Sequence, residues 1–229
     1  AAIYLTNSGK AAIHAQIRVY EWTQKNGKDV LVATGEVVSS PAMTSLAPGQ
    51  QQLVRIIVMQ PGIRAQEQSY RLVIDELPDA TSRAANPTAV HFLLRYSIPV
   101  FIAGNQSAPV SHDALSCEQS EIPATLRCFN AGNRHIRLSH LEALTADGQV
   151  VGSIKGLAGY VLPGQTALLP LKHASRHALS TLRVYLNDDH HASQIPLRPL
   201  AHGIEPCVAA GLLIVVDPVG LGLVVFYRR

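Results

Sequence analysis

The sequence predicts an all-β chain of two β-sandwiches. Three observations carry that expectation: alternation of period two along most of the chain, turn signals at short regular intervals, and no sustained helical periodicity. Nearly half of the 229 residues are apolar (47%) and only 15% are charged, which excludes a disordered chain and supplies a sizeable core. The formal charge of +3 comes from 19 basic and 16 acidic residues that are scattered rather than clustered. With no run of Lys and Arg to follow a phosphate backbone, nucleic-acid binding is not expected.

Ala1-Ala2-Ile3-Tyr4-Leu5 already alternates like a strand, so a first strand is expected upstream of Ala1. In residues 11–22, Ile13, Ala15, Ile17, Val19 and Glu21 form one row, against His14, Gln16, Arg18, Tyr20 and Trp22. Asn26-Gly27 is a hairpin turn and residues 30–33 the return strand. Ser40-Pro41 and Pro48-Gly49 bracket a loop, followed by strands at 52–59 and 70–77. A polar stretch, 78–88, leads into the longest predicted strand, 90–102. A glycine, polar residues and a proline coincide at 104–109, the predicted linker. The second series of strands covers 124–130, 134–145, 150–155, 166–171, 182–186 and 193–197. Asn130-Ala131-Gly132-Asn133, Asp147-Gly148, Pro163-Gly164 and Asn187-Asp188-Asp189 punctuate it. Residues 208–226 are almost wholly apolar but contain Asp217, Pro218 and three glycines. A weak membrane span and a segment altered by frameshift or read-through are both open; the favoured reading is an atypical tail outside both sandwiches.

Residues 88–102 carry the most functional information. Val90, Phe92, Leu94, Tyr96, Ile98 and Val100 lie on one face, and His91, Leu93, Arg95, Ser97, Pro99 and Phe101 on the other. The stretch far exceeds the usual length of about five or six residues. Pro99 cannot donate to a ladder, so the strand must there be at an edge, a bulge or a bend. Long apolar edges are normally blunted with charge, yet this row has none. Either the row is ordinary sandwich core, or the strand is kept available to add to a partner's sheet.

Enzyme chemistry finds little support. Among ten histidines, His190-His191 follow Asp188-Asp189 and could hold a divalent ion, but solvated turn residues are the simpler account. His173 and His177 have helical spacing without the intervening Glu of a zinc protease. No Gly-x-Ser-x-Gly or glycine-rich phosphate loop occurs, and neither Cys117 nor Cys128 has a partner for nucleophilic catalysis. No catalytic residue, metal, cofactor or small-molecule substrate is therefore assigned. Cys117, Cys128 and Cys207 include no C-x2-C pair. The eleven-residue spacing of Cys117 and Cys128 suits a small disulfide between neighbouring strands, formed in an oxidising compartment; two buried thiols are the alternative.

Several blocks are similar to a known family. They are Asn7 with Gly9; Arg18-Val19-Tyr20-Glu21-Trp22; Ser40-Pro41; the run from Leu46 to Ile56 containing Arg55; the run from Tyr70 to Pro78 containing Glu76; and Leu94-Arg95-Tyr96-Ser97-Ile98-Pro99-Val100-Phe101. Through these, residues 1–102 resemble the N-terminal domain of periplasmic pilus-assembly chaperones of the chaperone–usher pathway, the PapD-like superfamily. The Arg-Tyr-Ser-Ile-Pro-Val-Phe run is similar to the archaic branch. Asn130-Ala131-Gly132 and the run from Gly156 to Gly164 extend the resemblance to the second half.

The resemblance implies two immunoglobulin-like sandwiches in a boomerang: 1–104, an N-terminal domain without its first strand, and 105–202, a C-terminal domain, with 203–229 as a tail. It implies a periplasmic protein that fills the groove of an incomplete pilus subunit with Val90, Phe92, Leu94, Tyr96 and Ile98, then yields the subunit to an outer-membrane usher. A free chaperone leaves that row open or hides it by self-association. Arg55, Glu76 and Pro99 are expected to be structural, Glu76 through an ion pair at the domain elbow. The family anchors a subunit's terminal carboxylate with two cleft cations, one on the first strand and one on the long strand. Pro99 stands in place of the expected lysine, which leaves Arg95 as the candidate. The competing reading, from another class, is an immunoglobulin-like adhesion or scaffold module that buries Val90, Phe92 and Leu94.

Overall fold

The computed structural model describes residues 1–62, 64–78, 92–105, 112–172 and 179–198. Val90, His91, His173, His177, Cys207, residues 106–109 of the linker and the 203–229 tail lie outside the described residues. Within them the chain is β throughout, apart from one 3-10 turn at His112–Ala114.

The first sandwich contains β1 (Ala2–Thr6), β2 (Ile13–Lys25), β3 (Lys28–Ala33), β4 (Val37–Ser40), β5 (Met43–Leu46), β6 (Gln51–Val58), β7 (Gln68–Leu77) and β8 (Arg95–Ile102). One sheet runs β1-β6-β4; the other runs β3-β2-β7-β8, with β5 also paired to β2. The alternating row Ala15, Ile17 and Val19 meets Tyr70, Leu72 and Ile74 of β7 and Val37 and Val54 of the facing sheet, all buried. Removing each large side chain from water contributes about 1.5–3 kcal/mol. β5 lies within the segment predicted as a loop, and β4, assigned to no predicted strand, leads into it. Each is only four residues long, too short to show alternation against its flanking prolines.

The second sandwich contains β9 (Leu115–Gln119), β10 (Thr125–Asn130), β11 (Ile136–Leu144), β12 (Val150–Val161), β13 (Thr166–Pro170), β14 (Thr181–Leu186) and β15 (Ser193–Arg198). Their order is β12-β11-β14-β15-β9-β10-β13, antiparallel except where β15 meets β9. A separate cluster, including Leu126, Ile136, Leu138, Leu141, Leu182, Val184 and Leu186, forms this core. Along β11 the buried positions change parity between Leu138 and Leu141. A register shift there, with His140 at a positive φ of 48°, returns the side chains to the core face.

Asn7 and Asn130 perform the same task in the two sandwiches. Asn7 Nδ2 donates to the carbonyls of Ala11 (2.8 Å) and Leu46 (2.9 Å), while Oδ1 accepts from Gly9 N–H at 2.9 Å. Asn130 Nδ2 donates to Arg134 (2.7 Å) and Val161 (3.0 Å), and Oδ1 accepts from Gly132 N–H at 2.8 Å. Both side chains are buried, so each Asn-x-Gly pair closes a turn and satisfies two carbonyls, of which those of Leu46 and Val161 are bonded in a buried setting.

Cys117 and Cys128 form a disulfide. They sit directly opposite each other on β9 and β10, with a Cα–Cα distance of 4.1 Å. Closing a loop of eleven residues restricts the unfolded chain, so Cys117→Ala/Cys128→Ala is expected to lower stability by about 2–3 kcal/mol. Urea unfolding of the oxidised wild type and the double variant measures it; equal midpoints would remove the claim.

Candidate functional site

β8 ends the order β3-β2-β7-β8, so it is an edge strand with β7 as its one partner among the described residues. Glu76 N–H donates to Leu94 C=O at 2.9 Å, which aligns the even-numbered residues of β8 with β7. In an antiparallel pair the bonding direction alternates, so odd-numbered residues point their backbone groups at the open side. Pro99 lies opposite Arg71 at one of these outward positions. Its missing N–H therefore costs the sheet nothing, and it ends the run of outward donors after Arg95 and Ser97.

The even row changes surroundings along its length. Ile98, Val100 and Ile102 pack against the core of their own sandwich. Tyr96, Leu94 and Phe92 are 56%, 54% and 84% exposed, and Leu93 on the opposite row is exposed as well. Phe92, Leu94 and Tyr96 are thus available to a partner, whereas Ile98 is engaged within the chain. The last registered pair with β7 is Asp75↔Arg95, so β8 covers eight of the thirteen residues of the predicted strand; Phe92 to Leu94 precede it as exposed chain, and residues 90–91 lie outside the described residues.

Arg95 is not a free cation. Its Nε donates to Asp75 Oδ1, and Arg18 Nη2 donates to Asp75 Oδ2 at 2.6 Å. These hydrogen bonds, Arg95's the larger, hold the Asp75 carboxyl below the usual carboxylate range, so the cluster stays charged near neutrality. The two guanidiniums are balanced by two carboxylates, Asp75 and the Glu76 that accepts Leu94 N–H. Glu76 does not form the expected elbow ion pair with any described residue. It lies at the opposite end of β7 from the elbow, where its Oε2 accepts Leu94 N–H at 3.1 Å. Arg55 is exposed on β6 and pairs with no described acid.

The elbow acid that sequence reading missed is Glu67. Its carboxylate, almost fully buried, accepts from His135 N–H at 2.8 Å and lies 2.7 Å from His135 Nδ1, while Glu67 N–H donates to Asn133 C=O at 3.0 Å. The His135 ring stacks on Phe101 of β8, with centroids 3.5 Å apart and planes 6° from parallel. Trp22 meets Tyr160 edge-on at 5.5 Å, and the Arg71 guanidinium lies 3.6 Å above the Trp22 ring. Trp22 belongs to the outer row of β2, so the second sandwich, not its own core, buries it. Gly27, at φ 75°, accepts Leu168 N–H at 2.9 Å; a Cβ there would stand 2.3 Å from Leu168 Cγ. Gly104 packs so closely on Gln66 that a Cβ would lie 2.6 Å from its carbonyl carbon, so only glycine fits where the predicted linker begins.

Arg71 also lines a cavity of about 560 Å³ with Asp29, Lys28, Tyr160, Leu157 and Leu168. Burial pushes its pKa down, and its acid partner Asp29 is 3.8 Å away. At the end of β14, Asp188 is paired with Arg137 at 2.8 Å.

Residues 1–106 match the family of pili and flagellar-assembly chaperones, PapD N-terminal domain. The first sandwich is similar to that domain. Among solved structures, it resembles the CsuC–CsuE chaperone–tip adhesion subunit pre-assembly complex from archaic chaperone–usher Csu pili of Acinetobacter baumannii. That match has TM-score 0.65 and 24% identity, covering 87% of this chain and 91% of the other. The CupB2 chaperone of Pseudomonas aeruginosa matches with TM-score 0.58 and 18% identity, over 86% and 92% of the two chains. The Salmonella enterica SafB chaperone, in complex with the SafA pilin, matches with TM-score 0.56 and 15% identity, over 85% and 86%. These likenesses show the fold, two immunoglobulin-like sandwiches. No curated protein sequence matches it.

Proposed function

We propose that this chain is a periplasmic, non-enzymatic chaperone that stabilises pilus subunits by donor-strand complementation and passes them to an outer-membrane usher. The observation that carries the reading is the exposed apolar row Phe92, Leu94 and Tyr96 continuing a free sheet edge. A scaffold module would bury that row. In chaperone–pilin complementation, main-chain bonds along an edge supply affinity, and alternate side chains fill a partner's groove. The outward backbone of Leu93, Arg95 and Ser97 and the row beginning at Val90 would serve those two roles. CsuC and SafB were solved with a tip adhesion subunit and a pilin, which supports pilus subunits as the partner class. Arg71, with its distant acid and its place on the cavity wall, suits a carboxylate anchor better than Arg95, which Asp75 already holds. No cofactor, metal or small-molecule substrate is needed.

Recovery of the tagged protein from periplasm, with mass spectrometry of what accompanies it, tests the reading. Pilus subunits in stoichiometric amount are expected. A protein recovered alone from cells expressing those subunits would overturn it.

A further inference from the structure

The exposed segment presents a problem of register. Around its base both rows are apolar, Phe92 and Leu94 on one side and Leu93 on the other. A slip of one residue exchanges the two faces of a strand, and burial normally opposes it. Here burial opposes it only from Ile98 onward, because Phe92 to Tyr96 contact no core. Hydrophobic pattern therefore cannot decide which row this end of the strand presents.

Charge can. Asp75↔Arg95 is the last registered pair of the β7–β8 ladder. Asp75 is itself buried, and its two oxygens receive Arg18 from β2 and Arg95 from β8, so one carboxylate ties three neighbouring strands. Its neighbour Glu76 grips Leu94 by both backbone groups, through N–H to carbonyl at 2.9 Å and Oε2 to N–H at 3.1 Å. A slip of one residue would set Leu94 or Tyr96 opposite Asp75 and leave that carboxylate with a single guanidinium, a costly state for a buried charge.

We propose that Asp75, with Glu76 beside it, is a register clamp: it sets the point at which the donor segment leaves the sheet and so selects Phe92 and Leu94, rather than Leu93, as the presented row. Asp75 is thus a positioning residue that acts through Arg95 and touches no partner itself. The inference rests on the donor-strand reading for its purpose, but its physical content belongs to the free protein and is tested there.

The experiment is residue-resolved amide exchange, with cross-strand nuclear Overhauser contacts, on the free wild type, Asp75→Asn and Asp75→Glu. In Asp75→Asn the Leu94 and Tyr96 amides should exchange at least about tenfold faster, and the Asp75–Arg95 and Ile74–Tyr96 contacts should weaken or shift by one residue. Amides of Leu72 and Val54 should keep their protection. Asp75→Glu should restore most of the effect, since it keeps the charge. Unchanged Leu94 and Tyr96 protection in Asp75→Asn overturns the clamp, and so does a uniform loss across the sandwich, which would make Asp75 a general stabiliser. Either result leaves subunit capture by the wild type untouched, so a failure of the clamp and a failure of the chaperone reading are told apart.

Discussion

Phe92→Asp is expected to abolish subunit capture while leaving the protein folded. Phe92 is 84% exposed in the free chain, so a carboxylate there stays in water and the N-terminal sandwich loses nothing. In a complex the same position would enter an apolar groove. The aromatic ring's contribution of about 1.5–3 kcal/mol disappears, and an unpaired charge adds a penalty of several kcal/mol. Together these weaken binding by at least about a hundredfold, since each 1.4 kcal/mol is about a factor of ten. Leu93→Asp, on the opposite row, should do much less. Pull-down of a subunit by each variant measures capture, and circular dichroism checks the fold. If Phe92→Asp unfolds the N-terminal sandwich, the row is core and the scaffold reading replaces the chaperone.

Asn130→Ala is the substitution with the largest expected effect on stability. It removes three hydrogen bonds at a fully buried position, two of them to the carbonyls of Arg134 and Val161. An orphaned buried group costs about 1–3 kcal/mol, so a loss of about 2–4 kcal/mol is expected for the second sandwich. Asn130→Asp separates the two halves of the device. It can still accept from Gly132 N–H but donates to neither carbonyl, and should be nearly as damaging. Thermal unfolding followed by circular dichroism reads both. A loss below about 1 kcal/mol in Asn130→Ala would show that the turn is held by its backbone alone.

Which site residues were legible depended on whether their role is local. Phe92, Leu94 and Tyr96 could be named because alternation assigns side chains to faces in any strand. Pro99 announced an edge because a residue without an N–H has few other places in a sheet. Glu67 gave no such signal: it lies between strands, and its partners His135 and Asn133 are some seventy residues away. Glu76 had a signal, an acid at a strand end, but sequence cannot tell a side chain that pairs with a cation from one that caps a backbone N–H. Arg71 looked like one more charged residue on an outward row until Trp22, Asp29 and Tyr160 gathered around it.

By itself, the sequence determined the period-two architecture, the turn at Asn26-Gly27, a spacing of Cys117 and Cys128 that suits a disulfide, and the existence of an uncharged apolar row without a polar cover. All of these follow from contacts between residues near in the chain, or from a repeat that sterics alone impose. Tertiary structure decided where that row stops being core. Ile98 and Phe92 share a face and a hydrophobic character, yet only Ile98 has a facing sheet to pack against. Burial is a property of what lies opposite, and what lies opposite comes from elsewhere in the chain.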